Sequence, residues 1–285
     1  MRFIDKSKVE NRIKGLTINR QILEFCWNES ARSYSGLNYD DVDKTSIISH
    51  IVGEQDGLCC YCMRNLHVKA ESNHRKNTTL EHVIPHKIKE HEWLRDRDGY
   101  RMFPLLKENH IAVCYGGMLN DASIEFEMPP FPHFIAYDNL VASCDGQTLN
   151  EIGEEIPQHC CNNKRGNNYV EPLYFHANIS TEVSYDNRGH VQCPEEFIPY
   201  LGEKGVNIMC PFLNKVRLFW KEISDSEYNV TDIVDAEDDE ALRLDIIDDV
   251  FTDDPTGQWF FLEDKESWCV FSDYTWFYEY YQSKQ

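Results

Sequence analysis

The sequence predicts an α+β fold in three successive regions, and three observations carry that expectation. Apolar residues recur at helical intervals through residues 1–58. A β-branched stretch, Thr78–Ile84, lies between two cysteine groups, Cys59-Cys60-Tyr61-Cys62 upstream and Cys144 with Cys160-Cys161 downstream. Residues 176–285 then mix strand and helix patterns with dense acid and many aromatics. With 285 residues, 41% of them hydrophobic, the chain can build one large core or two modest ones. The expected division is a helical region 1–58, a central core 59–175 with an insertion across 87–136, and an acidic mixed α/β region 176–285.

In chain order, Ile13, Leu16, Ile22 and Leu23, and later Ile47, Ile48 and Ile51, mark two helices separated by a loop at Ser33–Asn38. Asp43 or Thr45 is placed to cap the second, which should end near Gly53 or Gly57. Residues 59–66 suit a knuckle, a tight turn presenting two thiolates, and polar residues 67–77 a loop. Thr78–Ile84 reads as a strand. The insertion holds a charged helix-like piece, Ile88–Asp98, and a turn-rich stretch, Glu127–Phe134. A short strand at Asn139–Ser143, a polar loop at Gly146–Gln158 and a helix starting near Asn162 follow, with Pro172 closing the unit. Pro211–Ile223 reads as a helix. Trp259, Phe260, Phe261, Trp268, Phe271, Trp276, Phe277 and Tyr278 read as the core of the final segment.

The formal charge of −21 is unevenly placed: residues 225–273 hold 17 acidic residues against two basic ones. Such a block reads first as a solvated acidic face, and second as a dock for a basic partner. The chain lacks the basic footprint of an autonomous DNA binder. No apolar run approaches membrane-spanning length and the N-terminus has no signal-peptide pattern, so a cytoplasmic protein without membrane contact is expected. There the 11 cysteines stay reduced, and C-x-x-C spacing favours metal over disulfides.

Cys59 and Cys62 have the spacing that lets two thiolates share one tetrahedral zinc. A second pair must complete the site, and Cys144 with Cys160 or Cys161 is the available candidate, across a loop whose length costs little. His86, His91, His110, His133 and His159 match no motif and read as surface or loop residues, with His86 the first exception to consider.

Between the cysteine groups stand Glu81-His82-Val83-Ile84-Pro85 and Asn139-Leu140, and Cys161-Asn162-Asn163-Lys164-Arg165-Gly166 closes the series. In this order the pieces resemble the HNH endonuclease family over about residues 55–175. The resemblance implies a zinc-stabilised ββα-metal core and selects Cys161, with Cys59, Cys62 and Cys144, as the zinc ligand, because Asn162, Arg165 and Gly166 then fall on a C-N-x-x-K-G pattern with Arg in place of Lys. It implies that Glu81 and Asn162 bind a catalytic Mg²⁺ or Mn²⁺, with Asn163 the neighbouring alternative. His82 would be the general base and Asn139 a brace for the loop, while Lys164 and Arg165 hold phosphates. Because neighbouring strand residues point to opposite faces, Glu81 and His82 can serve one site only if the strand end is irregular.

Within HNH proteins the chain looks like the nuclease subunit of Septu-type and retron-associated defence systems. The features are Arg2-Phe3-Ile4-Asp5-Lys6, the C-x-Y-C opening, the Glu-His-x-x-Pro strand and the widely split second cysteine pair. That resemblance implies a nucleic-acid substrate, DNA or in some systems tRNA, and an ABC-type ATPase partner docked on the C-terminal region. A stand-alone HNH restriction or nicking enzyme is a second expectation, though no base-reading module is visible. A catalytically silent zinc-stabilised binding module is the third.

Overall fold

Helix α1 (Val9–Cys26) and helix α2 (Lys44–Glu54) open the chain. The computed structural model describes residues 1–28, 30, 33–34, 44–71, 73–85, 102–111, 113–114, 131–150, 153–156, 159–251 and 259–285. α1 buries a stripe at helical spacing: Asn11, Gly15, Ile18, Asn19 and Ile22. Ile13, expected inside, is 62% exposed. Two asparagines occupy inward positions, each with a hydrogen-bond partner there. Asn19 Oδ1 accepts from the Tyr137 N–H at 3.0 Å, and Asn11 Nδ2 donates to the Asp5 carbonyl at 3.0 Å. After α2, Asp56 (φ 54°) and Gly57 (φ 78°) turn the chain left-handed into the first cysteine cluster. Asp43 lies outside the described residues.

At the centre, strand β1 (Thr78–His82) pairs antiparallel with strand β2 (Leu140–Cys144), in the register Thr78↔Cys144 to His82↔Leu140. The strand stops at His82, short of the expected Ile84, because the Ile84 N–H is taken by the Asn139 side chain at 2.7 Å rather than by the ladder. Helix α3 (Cys161–Arg165) follows and packs on β2. The loop expected across Gly146–Gln158 contains a small hairpin, Thr148–Leu149 against Glu155–Ile156. Much of the 87–136 insertion, including the Ile88–Asp98 piece and His91, lies outside the described residues, as does His86 just before it. Within it, Pro104–Glu108 is a short helix.

The C-terminal region is helical where it is most acidic. Helix α4 (Pro211–Asp225) turns Phe212, Leu213, Val216, Phe219, Trp220 and Ile223 inward, with Pro211 in its first turn, where the missing N–H costs nothing. Helices α5 (Val230–Asp235), α6 (Glu240–Val250), α7 (Lys265–Ser272) and α8 (Trp276–Gln282) complete it. Several acids of the block serve as caps: Asp232 completes a capping box with Asn229, Asp239 accepts from the Leu242 N–H, and Asp264 from the Ser267 N–H. Asp235, Asp238, Asp245, Asp248 and Asp249 face solvent.

The aromatics form a core, as expected, with Trp268, Phe271 and Phe277 fully buried. The indole N–H of Trp220 reaches the Phe271 carbonyl and that of Trp268 the Ile233 carbonyl, both at 2.9 Å. Phe260 is the exception at 69% exposure. A single continuous cluster of buried apolar residues runs from Met1 to Tyr281, through all three regions. The chain is therefore α+β, and no described helix is long and apolar enough to cross a membrane.

Candidate metal centre and strand site

Cys59, Cys62, Cys144 and Cys161 converge, all four sulphurs buried and within 4.8 Å of one another. Cys59 Sγ lies 3.9 Å from Cys161 Sγ, and Cys62 Sγ 3.6 Å from Cys144 Sγ. A tetrahedral zinc with Zn–S bonds of about 2.3 Å spaces its sulphurs by about 3.8 Å, so the cluster fits that ion. The first pair comes from a knuckle: the Cys59 N–H bonds the Arg64 carbonyl at 2.8 Å, and Met63 takes a left-handed φ of 66°. The second pair comes from the end of β2 and the start of α3. The Cys144 N–H donates to Cys59 Sγ at 3.3 Å, the kind of outer bond that steadies a thiolate ligand. Cys60 and Cys160 stand outside the set, Cys160 as a neighbour 3.5 Å from Cys161 Sγ. The choice of Cys161 over Cys160, which spacing leaves open, agrees with this geometry. Four buried cysteines this close can hold a metal ion such as zinc.

Gly146 makes the split second pair fit. Its φ is +71°, and a Cβ there would lie 2.1 Å from the Cys160 carbonyl oxygen. The Cys160 N–H also bonds the Gly146 carbonyl at 3.0 Å, closing the loop between Cys144 and Cys161.

Glu81 and His82 take successive positions of a regular ladder and so project from opposite faces of the sheet. The irregular strand end that would join them is absent as far as His82. Glu81 is buried toward α3 in an ion pair with Arg165, whose other terminal nitrogen donates to the Val83 carbonyl at 2.8 Å. His82 Nε2 lies 2.8 Å from the Phe134 carbonyl oxygen. Asn162 Nδ2 donates to Thr79 Oγ1 at 3.3 Å, one strand repeat from Glu81, which places Asn162 and Glu81 on the same face. Among the described residues, no cluster of three His, Cys, Asp or Glu ligand atoms includes Glu81.

Arg165, expected to reach a phosphate, is 2% exposed and engaged in the interior. A buried guanidinium beside a carboxylate is a structural pair, not an exposed anion hook. Lys164 instead lines an open cleft with His159, Asn163 and Asn207. Asn139 braces a loop crossing: its Nδ2 donates to the Ile84 and His133 carbonyls, both at 3.0 Å, and its Oδ1 accepts from the Ile84 N–H. His133, expected at the surface, is fully buried with Nε2 3.0 Å from the Pro85 carbonyl oxygen.

A second polar centre escaped the sequence reading. His67 Nε2 and His74 Nδ1 both point at Asp273 Oδ1, at 2.7 and 2.9 Å. The Arg64 guanidinium grips Asp273 Oδ2 at 2.9 and 2.8 Å, and His74 Nε2 meets Glu237 at 3.1 Å. Hydrogen bonds to Asp273 and then Glu237 push His74 up to about 10. His67 and His74 follow the knuckle closely, which is a visible signal, but Asp273 lies about two hundred residues on and no spacing rule reaches it. Comparison of the chain with protein-family models, with curated proteins and with solved structures found no match.

Proposed function

We propose that the chain is a metal-dependent HNH endonuclease that hydrolyses phosphodiester bonds in DNA or tRNA, as the effector subunit beside an ABC-type ATPase in antiviral defence. The observation that carries the reading is an antiparallel strand pair followed by a short helix, pinned at one end by four converging cysteines, with Glu81, His82, Asn139 and Asn162 on those elements or beside them. In this reading zinc at the cysteines is structural, and His82 takes a proton from the attacking water while Asn139 holds the loop beneath it. Mg²⁺ or Mn²⁺ would supply charge neutralisation at the scissile phosphate. Glu81 does not fit that ion as it stands, since the Arg165 guanidinium already neutralises its carboxylate.

That pairing favours a second reading, a zinc-stabilised binding module without catalysis. The two separate in one assay. Purified protein with Mg²⁺ or Mn²⁺, with and without the genomically neighbouring ATPase, is incubated with plasmid, single-stranded DNA and total tRNA beside His82→Ala. The nuclease reading expects cleavage that disappears in the variant. Cleavage that survives the substitution, or no cleavage even with the ATPase, overturns it.

A further inference from the structure

We propose that His67, His74 and Asp273 form a second metal site, separate from the four cysteines, that binds a divalent ion of the zinc class and ties the knuckle loop to the C-terminal helices. Two imidazole nitrogens and one carboxylate oxygen lie within 4.8 Å of one another. This donor set suits a borderline first-row ion and differs from the all-sulphur set nearby.

The groups around the three ligands are arranged as metal sites arrange them. A ligating histidine ordinarily gives its other ring nitrogen to a carboxylate, and a ligating carboxylate is itself hydrogen-bonded. His74 turns Nδ1 to Asp273 and Nε2 to Glu237, and Glu237 is held in turn by the Ser272 hydroxyl at 2.6 Å. Asp273 offers Oδ1 to the histidines while Arg64 fixes Oδ2, and Arg64 is anchored by Asp145 at 3.3 Å. The backbone holding the histidines is also fixed. Asn77 Oδ1 accepts from the His67 N–H at 2.8 Å, and the Glu71 N–H donates to the His74 carbonyl at 2.8 Å. A cavity of about 470 Å³, lined by His74, Asp273, Asn73, Arg75 and Cys269 among others, adjoins the cluster and leaves room for a water as a further ligand.

The rings themselves are placed to share one ligand. They stack with centroids 4.4 Å apart and an interplanar angle of 10°, both aimed at one oxygen. One divalent cation takes a lone pair from each ring and the charge of the carboxylate together. Three protein ligands with an open position is the pattern of an accessible zinc, whereas the four-cysteine site is closed. The inference does not depend on nuclease activity.

The test is metal stoichiometry on the full chain. Protein saturated with Zn²⁺ and freed of excess is expected to carry two ions by elemental analysis, and His67→Ala/His74→Ala to carry one. Cobalt titration separates the sites, because only thiolate ligands produce intense sulphur-to-cobalt charge-transfer absorption. In wild type, a second equivalent of Co²⁺ should bind after that band has saturated. The band must persist in the double-histidine variant, which shows that it has folded around its cysteines. Glu237→Gln should keep two ions at saturation but weaken the second by about 10- to 100-fold. A wild-type protein that saturates at one equivalent, or a second equivalent that survives loss of both histidines, overturns the proposal.

Discussion

Asp138 shows how one buried side chain can set a pH dependence. It is 1% exposed beside Asn139, with only Lys6 and the backbone N–H groups of Leu106 and Leu105 to offset its burial. Burial, only partly offset by Lys6, pushes its carboxyl up to about 7. The fold therefore keeps a proton that the unfolded chain releases near 3.8, and stability falls as pH rises from there to about 7. Asp138→Asn should match wild type at low pH and exceed it by roughly 2–4 kcal/mol above pH 8. Urea titrations with zinc present, at pH 5.5 and 8.5, check this: the advantage at pH 5.5, inside the titration window, should be roughly half that at pH 8.5, and an advantage independent of pH would refute it. Glu81 and Arg165 form the second residue-scale case. Removing Arg165 leaves a carboxylate buried and unpaired, so Arg165→Ala should cost about 3–5 kcal/mol. The Glu81→Gln/Arg165→Met double variant should cost less than Arg165→Ala alone, because no lone charge remains. A double variant at least as unstable as the single would show that the ion pair is not what Arg165 supplies.

The elements were legible where chemistry acts over short spacings. Thr78–His82 declared itself by β-branching, and Pro211–Asp225 by a proline start and an inward aromatic stripe. The knuckle followed from C-x-x-C. What escaped was set by partners distant in sequence: the inward face of α1, chosen by two asparagines with partners, and the end of β1, decided by the Asn139 side chain. The loop from Cys144 to Cys161 hides its main constraint in Gly146. Gly146→Ala should therefore lower zinc affinity and the melting temperature together, because the new methyl meets the Cys160 carbonyl and the left-handed φ disfavours it. Competition with a colorimetric zinc chelator reads the first effect and calorimetry the second. An alanine variant with unchanged affinity would mean that the loop closes by another route.

At the scale of the whole molecule, the acidic block looked like one unbroken feature in the sequence, but its residues have several uses. Asp232, Asp239 and Asp264 cap helices, Glu237 and Asp273 reach back to the histidine loop, and Asp235, Asp238, Asp245, Asp248 and Asp249 lie on a solvated face. That division could not be read from composition, since it depends on contacts made across some two hundred residues. The convergence of Cys59, Cys62 and Cys144 with the downstream cysteine pair could be read, because C-x-x-C spacing and a few remaining cysteines admit few sets, although spacing alone left Cys160 and Cys161 open. Chelation in solution should separate the two parts of the molecule. Amides of residues 58–66 and 140–146 should exchange faster without zinc, while those of α4 and α8 hold, since their aromatic core needs no metal. Uniform loss of protection would show that the core and the cysteine centre unfold as one unit.

Gln55, just beyond α2, stands where a third strand would bind. Its amide nitrogen donates to the Ala142 carbonyl and its amide oxygen accepts from the Ala142 N–H, both at 2.8 Å. One side chain thus occupies the donor and acceptor that mid-strand β2 would offer at its outer edge, and the Cys60 N–H adds a further bond to the same carbonyl at 3.2 Å. A sheet edge closed in this way resists self-association by strand pairing. It also closes this edge to recruitment by strand addition, so an extended peptide has no ladder to join along β2.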